Sequence, residues 1–428
     1  MFLTYYEAVS LGAGWGRTHR RAISNWYKRF GESPQQAKRL AVLVTKYKRR
    51  QGWSHRDVLR LAHTKPQTDD NGVTAIMKYI VKGFDLAKEA LGLANNGLLE
   101  YLQAVETVRA QRDPNTVNVA GVADIIREHR LVKEHIDTQL LQFADIWEAL
   151  LEHMPMTAMI RNLGKMSSVG ILTAGSRSEE LIITRLRDLD ILEKARIHPF
   201  NVLVALLTYK KGVGDIGKLA WTPNTAILQA LDEAFYLTFK LVEPTNKRYL
   251  LAVDVSRSMF SGPVNGSSSV TPAMAAIALS LVTARTERRC EVVCFSADLV
   301  PVAIGPHMKL PDVEAAMRNV SSGTTDCSLP MLYALKHKKK FDVFIVYTDN
   351  ENNDGYIHPA HELQEYRTWS GITDAKLIVC AMSVTDFSIA DPNDVNMMDM
   401  PGFNWNGPDV MRSFIVNNRH HLQHPPDI

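Results

Sequence analysis

The chain has 428 residues, of which 46% are apolar and 22% are charged. This length predicts two or three domains, and the composition excludes a mainly disordered chain. No run approaches the ~18 uninterrupted apolar residues of a membrane span, so we expect a soluble protein of the cytoplasm, with the nucleus left open and no membrane partner. The four cysteines form no CxxC pair and are expected to be reduced.

Positive charge is concentrated at the amino end of the chain. Residues 1–65 contain 14 Lys and Arg against three acids, a local net charge of +11, whereas the remaining 363 residues carry a net charge of −8. A polyanion would relieve the self-repulsion of such a segment, and nucleic acid is the commonest polyanionic partner. The charge distribution therefore favours a nucleic-acid-binding protein.

The first half of the chain has a helical pattern. From Thr18 to Val242, apolar residues recur at three- and four-residue spacing with short polar breaks between segments. Many helices joined by short loops indicate a helical solenoid of degenerate pairs, whose extended surface suits a long ligand. The clearest predicted helices cover Gln35–Arg50, Asn96–Arg112, Thr138–His153, Ser178–Ala195 and Pro223–Val242, with Pro34 and Pro223 at first-turn positions.

The pattern changes at the turn-like segment 243–246, so we predict one domain over residues 1–244 and a second over residues 245–428. Short apolar strands then alternate with helices, which indicates a doubly wound α/β domain with a mostly parallel sheet. The predicted strands are Tyr249–Val255, Glu291–Ser296, Phe341–Thr348 and Leu377–Ser383, and the predicted helices are Pro272–Arg285, Leu329–His337 and Pro359–Trp369.

An Asp-x-Ser-x-Ser motif, made by Asp254, Ser256 and Ser258, follows the first of these strands. Thr325 in a loop and Asp349 at the end of another strand would meet it at the carboxyl edge of the sheet. Oxygen donors of this kind suit Mg²⁺, so the sequence predicts a magnesium site. That Asp254 and Ser256 only cap a helix remains an alternative. A hydrolase nucleophile is not supported, because the flanks lack the G-x-S-x-G pattern.

Basic side chains of the amino-terminal segment are candidates for phosphate contacts. Lys46 and Arg50 are four residues apart in a predicted helix and would share one face, with Arg49 beside them. Aromatic residues, including Tyr47 and Trp53, are interleaved with the charges. For each residue alone, a solvated helix face remains an alternative, but their density favours RNA or DNA.

A second basic helix is predicted to follow directly. Gly52 would end the first helix, and Ser54 would cap the next one. That helix carries Arg56 and Arg60 on one side and is followed by His63. The predicted RNA-binding residues are therefore Lys46, Arg49, Arg50, Arg56, Arg60 and His63.

Several longer segments of the sequence are distinctive: Trp15-Gly16-Arg17, Arg21-Ala22-Ile23, Gly52-Trp53-Ser54-His55, Arg161-Asn162-Leu163-Gly164-Lys165-Met166, Lys194-Ala195-Arg196-Ile197-His198-Pro199-Phe200 and Thr325-Asp326-Cys327-Ser328-Leu329-Pro330-Met331. With these segments the chain resembles the Ro autoantigens, the TROVE-domain ribonucleoprotein family, and the resemblance covers nearly all of the chain.

The resemblance implies a ring of HEAT-like helices closed by a von Willebrand factor A domain with a metal-ion-dependent site. It also implies that Y RNA binds on the outer surface, at positions that fall on Lys46, Arg50 and His63, and that single-stranded ends of misfolded small RNAs enter the hole. Two departures accompany it. The chain starts several helices later than members of the family, which predicts a partial ring, and Arg257 stands in the metal loop where the family usually has a small residue.

The sequence therefore predicts a non-catalytic RNA-binding protein of a small ribonucleoprotein, which binds Y RNA and misfolded small non-coding RNAs for quality control. The alternative is a protein-interaction scaffold in which bound Mg²⁺ captures an acidic side chain of a partner protein. The two functions should differ in their response to salt and to chelator.

Overall fold

The structure is a computed structural model that describes residues 16–47, 49–50, 52–65, 71–92, 96–214, 217–264, 267–296, 298–305, 307–321, 323, 325–349, 358–382, 389–402 and 407–416. The chain packs as two compact units, Met1–Met154 and Pro155–Ile428. Among the described residues, no helix is both long and apolar enough to cross a membrane. The predicted domains, 1–244 and 245–428, follow the change of sequence pattern rather than these packing units and stay a prediction.

The first unit is helical apart from one small hairpin. Its elements are α1 (Arg17–Lys28), α2 (Pro34–Lys46), β1 (Arg49–Arg50), β2 (Trp53–Ser54), α3 (His55–Ala62), α4 (Asn71–Lys82), α5 (Phe84–Leu91), α6 (Asn96–Ala110), α7 (Val119–His129) and α8 (Ala144–Glu152). Neighbouring helices pack through buried apolar side chains such as Ile23, Leu40, Val58, Ile76 and Leu102. The three- and four-residue spacing of these residues puts them on the buried faces.

Side-chain caps begin helices α2 and α3 of this unit. Ser33 accepts a hydrogen bond from the main-chain N–H of Gln36 at the start of α2, and Pro34 occupies the first turn, as predicted. Ser54 and Asp57 form a reciprocal capping box at the start of α3, which confirms the predicted Ser54 cap. Both caps satisfy main-chain donors that have no partner within the helix.

The predicted helix Gln35–Arg50 is wrong at its carboxyl end. Helix α2 ends at Lys46, and Tyr47 leaves the helical region with φ −103° and ψ 67°. Arg49 and Arg50 instead pair with Ser54 and Trp53 as antiparallel strands, and Gly52, at φ +81°, lies in the turn between them. Lys46 and Arg50 therefore do not share a helix face.

Three other predicted helices are shorter than expected. In place of Thr138–His153, a short 3-10 turn at Leu140–Gln142 precedes α8, because Phe143 is extended. The segment Ser178–Ala195 is divided at Asp188, whose side chain caps the second part through the N–H of Ile191. Pro223 precedes its helix rather than occupying the first turn, since Asn224 is the cap and the helix covers Thr225–Leu237.

The second unit contains further helices and the α/β sheet. Its elements are α9 (Met156–Ser168), α10 (Arg177–Arg187), α11 (Leu189–Lys194), α12 (Pro199–Lys211), α13 (Thr225–Leu237), β3 (Arg248–Asp254), α14 (Pro272–Thr286), β4 (Arg289–Phe295), β5 (Leu299–Pro301), α15 (Leu310–Arg318), α16 (Leu329–Lys336), β6 (Val343–Thr348), α17 (Pro359–Ser370), β7 (Lys376–Ala381), β8 (Met397–Pro401) and α18 (Gly407–Val416).

The six strands lie in the order β5-β4-β3-β6-β7-β8, and every neighbouring pair is parallel except β4 with β5. This topology confirms the predicted doubly wound α/β domain after a helical region. The four predicted strands correspond to β3, β4, β6 and β7. The short edge strands β5 and β8 and the helices α15 and α18 were not predicted.

Alternation along the strands determines which residues face α16 and α17. On that side a buried cluster joins residues of β3, β4, β6 and β7 to Met331 and Ala334 of α16 and to Leu363 and Tyr366 of α17. Because all the parallel strands run in the same direction, their carboxyl ends form one edge of the sheet and their amino ends the opposite edge. Asp254 ends β3, and Ser256, Ser258 and Asp349 follow strands at the carboxyl edge.

Candidate functional site

The predicted metal-type site begins at the ends of two adjacent strands. Strands β3 and β6 pair in parallel with Val253 opposite Tyr347, so Asp254 and Thr348 are the next residues along their strands. The Thr348 hydroxyl donates to Oδ2 of Asp254 at 2.9 Å. Both side chains are completely buried, which fixes the Asp254 carboxylate in one orientation.

The loop after β3 brings two hydroxyls to this carboxylate. The main-chain N–H of Ser256 donates to Oδ1 of Asp254 at 2.7 Å, and the Ser256 and Ser258 hydroxyl oxygens are 3.1 Å apart. This N–H contact closes a turn within the loop and does not cap a helix, because the 3-10 helix Ser258–Phe260 begins at Arg257 without a side-chain cap. Arg257, between the two serines, is exposed to solvent.

Thr325 belongs to a loop that is attached to the same edge of the sheet. The N–H of Gly323 donates to the Ser296 hydroxyl at 2.7 Å, and the N–H of Asp326 donates to the Ser296 carbonyl at 3.3 Å. Ser296 directly follows β4, which is the strand beside β3. The Thr325 side chain is buried at this edge.

Asp349 supplies a second buried carboxylate to this edge of the sheet. It follows Thr348 at the end of β6, and in the described part of the chain its Oδ1 has no hydrogen bond. Burial raises the pKa of Asp254 from 3.8 to about 6, despite hydrogen bonds from Ser256 and Thr348, and the Asp349 carboxylate adds to that rise. A cation would relieve both effects, since it satisfies the free oxygen and neutralises the two buried carboxylates.

The chemistry of these donors fits Mg²⁺ better than a softer metal. Among the described residues, no group of three His, Cys, Asp or Glu side chains could hold a metal ion. The candidate set contains only two carboxylates, and its other members, Ser256, Ser258 and Thr325, offer hydroxyls. Mg²⁺ is usually held through one or two carboxylates and keeps several waters, so this set is sufficient for it.

The basic side chains of the amino-terminal segment lie at the end of α2, on β1 and on α3. Lys46 is the last residue of α2, and its ammonium lies 5.2 Å from the centre of the Tyr47 ring. Arg49 is exposed on β1. The strand position of Arg50 is described, but its side chain lies outside the described residues. The side chains predicted to contact phosphates therefore lie at a helix end and on the hairpin that follows it, not along one helix face.

Helix α3 carries the remaining basic candidates. Arg56 and Arg60 are both exposed and are four residues apart, so they occupy one face of the helix, as predicted. His63 ends the helix in the left-handed region, at φ 50° and ψ 36°, and is exposed. The opposite face of α3 is anchored by His55, which forms a 2.6 Å hydrogen bond with the Tyr27 hydroxyl.

Some residues that arrange these sites were missed from sequence. Thr348 orients Asp254, and Ser296 holds the loop of Thr325. Thr348 could have been found because it precedes Asp349 at a strand end. Arg109 donates to the carbonyl of Thr45, beside Lys46, and no local pattern identifies a contact across 64 residues.

Comparison with known proteins assigns both halves of the chain to described domains. A family model of the TROVE domain matches residues 1–97 and 125–208, and a model of the Ro60 vWA domain matches residues 248–415. The chain is 38% identical over 438 residues to RNA-binding protein RO60 of Caenorhabditis elegans, covering 94% of this chain and 66% of that protein. It is 37% identical to RNA-binding protein RO60 of Deinococcus radiodurans, covering 96% of this chain and 74% of that protein.

A solved structure agrees with these matches. The crystal structure of the Deinococcus radiodurans Ro (RSR) protein has a TM-score of 0.82 and 36% sequence identity, and the match covers 97% of this chain and 79% of that one. The fold and the two domain matches thus define a protein in which a TROVE domain precedes a von Willebrand factor A domain. The chain belongs to the Ro60 family.

Proposed function

We propose that this protein binds RNA without catalysing a reaction, as a component of a small ribonucleoprotein. The observation that carries the proposal is the basic surface of the first unit, where Arg49 of β1 and Arg56, Arg60 and His63 of α3 and its end are all exposed. Phosphate contacts of this kind give affinity and register on an RNA backbone. The names of the two RO60 relatives, which describe RNA-binding proteins, support the same proposal.

The proposed ligands are Y RNA and misfolded small non-coding RNAs, bound for quality control. Their support is the family resemblance, whose Y-RNA contacts fall on Lys46, Arg50 and His63. The chain spans 66% of the length of the C. elegans relative, so the ring arrangement and the cytoplasmic location of the complex also stay proposals.

A salt series with a Y-type hairpin RNA tests this function. We expect tight binding with a steep dependence on log salt, and loss of most of the affinity in a Lys46→Ala, Arg50→Ala, His63→Ala variant. A Lys78→Ala, Lys82→Ala, Lys88→Ala variant is the matched control, because these three lysines are also exposed in the first unit. Equal binding by both variants would contradict the proposed surface.

A second candidate function is a metal-dependent protein-interaction scaffold. The observation in its favour is the buried Oδ1 of Asp349, which has no hydrogen bond within the described ranges and lies near the Asp254 carboxylate. Asp254, Ser256, Ser258, Thr325 and Asp349 would hold Mg²⁺, which when bound supplies an open coordination position for an acidic side chain of a partner. Binding of such a partner should be abolished by chelator and respond weakly to salt, whereas RNA binding should respond mainly to salt.

A further inference from the structure

A second basic surface lies at the amino edge of the sheet, opposite to the edge that carries the metal-type residues. Arg248 and Arg289 begin β3 and β4 and are directly paired in the parallel register. Arg289 is exposed, whereas Arg248 forms an ion pair with Asp342 at 2.6 Å. At the start of β4, Arg289 therefore contributes a positive charge that no ion pair among the described residues neutralises.

The end of α16 adds three more exposed cations. Lys336 is the last residue of this helix, and Lys338 and Lys340 follow in the connection to β6. Lys338 has a left-handed backbone, at φ 52°, and its N–H donates to the Leu335 carbonyl at 3.2 Å. This turn ends the helix and holds the lysines in a compact run.

Glu291 of β4 ties this run to the strand that bears Arg289. Lys339 donates to both carboxylate oxygens of Glu291, at 2.7 and 2.9 Å, and the Tyr333 hydroxyl also donates to Glu291. Arg289 and Glu291 are two residues apart in one strand, so they lie on the same face of the sheet. Arg289 is therefore on the face that the end of α16 contacts.

Two acids at this edge of the sheet are each paired with another cation. Glu291 is paired with Lys339, and Asp342 is paired with Arg248. In the part of the chain that the structure describes, the cations Arg289, Lys336, Lys338 and Lys340 form no ion pair. We call these four residues the amino-edge cluster.

The cluster also contrasts with the charge of its own domain. Residues 245–428 contain 16 Lys and Arg and 20 Asp and Glu, a net charge of −4. Eight of those 16 basic residues lie in the two short segments 247–248 and 288–289 and in the run 336–340. A cluster of positive charge in a domain of net negative charge creates a local positive field that attracts anions.

We propose that the amino-edge cluster binds the phosphate backbone of RNA, as a contact surface separate from the basic segment of the first unit. Lysine serves well as a point charge for phosphate, whereas it is depleted in the interfaces of protein complexes. Nucleic acid therefore suits this surface better than an acidic protein. The identity of the ligand rests on the proposed RNA-binding function.

The test uses the full chain and two RNA probes, a hairpin and the same hairpin with a single-stranded extension. The edge variant carries Arg289→Gln, Lys336→Gln, Lys338→Gln and Lys340→Gln. For the extended RNA we expect this variant to bind about tenfold more weakly at ~0.1 M salt, with a log–log salt slope lower by about three. Ultraviolet cross-linking of the extended RNA to wild-type protein should label peptides that contain residues 336–340.

A matched control variant carries the same number of charge changes elsewhere in the second unit, at the exposed residues Lys194, Lys210, Lys218 and Lys240. An edge variant with the affinity and slope of wild type, or with losses equal to those of the control, would overturn the inference. So would stronger competition by polyglutamate than by RNA, which would indicate an acidic protein partner.

The outcomes also separate this inference from the proposed function. If wild type binds RNA and the Lys46→Ala, Arg50→Ala, His63→Ala variant loses it while the edge variant does not, the proposed function stands and the inference fails. If wild type binds neither probe, both fail. Melting curves of each variant confirm that the surface substitutions leave the fold intact.

Discussion

Arg109 donates a hydrogen bond from its guanidinium to the main-chain carbonyl of Thr45 at 2.7 Å and so ties helix α6 to the last turn of helix α2. The same guanidinium donates to the Tyr79 hydroxyl at 3.0 Å and forms an ion pair with Glu106 at 3.3 Å. Thr45 immediately precedes Lys46. A residue far along the chain thus contacts the last turn of α2, just before the basic hairpin begins.

The Arg109→Met variant should therefore weaken both the fold and RNA binding. The substitution removes the hydrogen bond to the Thr45 carbonyl and leaves Glu106 with only the hydrogen bond from the Tyr79 hydroxyl, which we expect to lower the free energy of unfolding by about 1–3 kcal/mol. The freed end of α2 should also lower the affinity for hairpin RNA. Urea denaturation and an RNA titration measure the two effects.

Arg112→Met is the control for Arg109, because Arg112 is exposed just beyond the end of α6. It removes the same charge without touching Thr45. If the two variants lose equal RNA affinity, the contribution of Arg109 is only its charge, and its role in positioning α2 is refuted.

His55 should make the first unit sensitive to acid. Burial lowers its pKa from 6.5 to about 4, while its Nδ1 is hydrogen-bonded to Tyr27. Because the folded-state pKa lies below that of the unfolded chain, the unfolded state takes up a proton first as pH falls. The stability is complete above pH 6.5 and is lost between pH 6.5 and pH 4, by about 3 kcal/mol.

Chemical denaturation over this pH range checks the expected loss. The His55→Phe variant should have a smaller slope, and the rest should come from His198, whose pKa burial also lowers to about 4. His63→Gln is the control, since His63 is exposed at the end of the same helix and the full slope should persist. A slope in His55→Phe equal to that of wild type would show that His55 does not contribute to the acid sensitivity.

Local signals in the sequence were sufficient for four of the six strands of the α/β sheet and for the placement of Asp254 and Asp349 at strand ends. Continuous apolar runs identified the buried strands β3, β4, β6 and β7, and polar residues at the ends of two of them predicted Asp254 and Asp349. Parallel strands place such residues at one edge without any further information. The Ser54 cap was predictable for the same reason, since it depends on neighbours three residues away.

Contacts between distant segments were not predictable in this way. The end of α2 depends on Arg109, and the position of Thr325 depends on Ser296, so both result from tertiary hydrogen bonds. The short edge strand β5 has only three residues, and its pairing with β4 is clear only when the sheet is formed. Periodicity alone therefore extended α2 through Arg50 and missed β5.

Gly164 should be intolerant of a side chain. A Cβ at this position of α9 would lie 2.7 Å from the Trp221 ring, which is held by a hydrogen bond from its Nε1 to the Tyr209 carbonyl at 3.0 Å. We expect Gly164→Ala to lower the free energy of unfolding by about 1–3 kcal/mol, because the ring cannot move without losing that bond. Thermal denaturation measures the loss.

We expect Gly97→Ala to have the opposite effect on stability, because the space beside this helical glycine is open. Gly97 lies near the start of α6, and a Cβ there would have no neighbour within 4 Å. Alanine is the better helix former by ~0.5–1 kcal/mol, so this variant should be neutral or more stable. If Gly164→Ala behaves like Gly97→Ala, the close approach of Trp221 is not restrictive.

The metal-type site makes a prediction that needs no partner and no RNA. If Asp254 and Asp349 hold Mg²⁺, the ion should raise the melting temperature of wild type, by an amount that corresponds to about 2.7 kcal/mol at ~100 times its Kd. The Asp349→Asn variant should lose most of this response.

Asp254→Asn should also lose the response to Mg²⁺. Because this variant removes a buried charge next to Asp349, it should melt above wild type when chelator is present. Asp409→Asn, an exposed carboxylate of the same unit, should respond to Mg²⁺ like wild type. A wild-type melting temperature that is the same with Mg²⁺ and with chelator would count against the magnesium site, and Asp254 and Ser256 would then be best explained as the cap of the loop after β3.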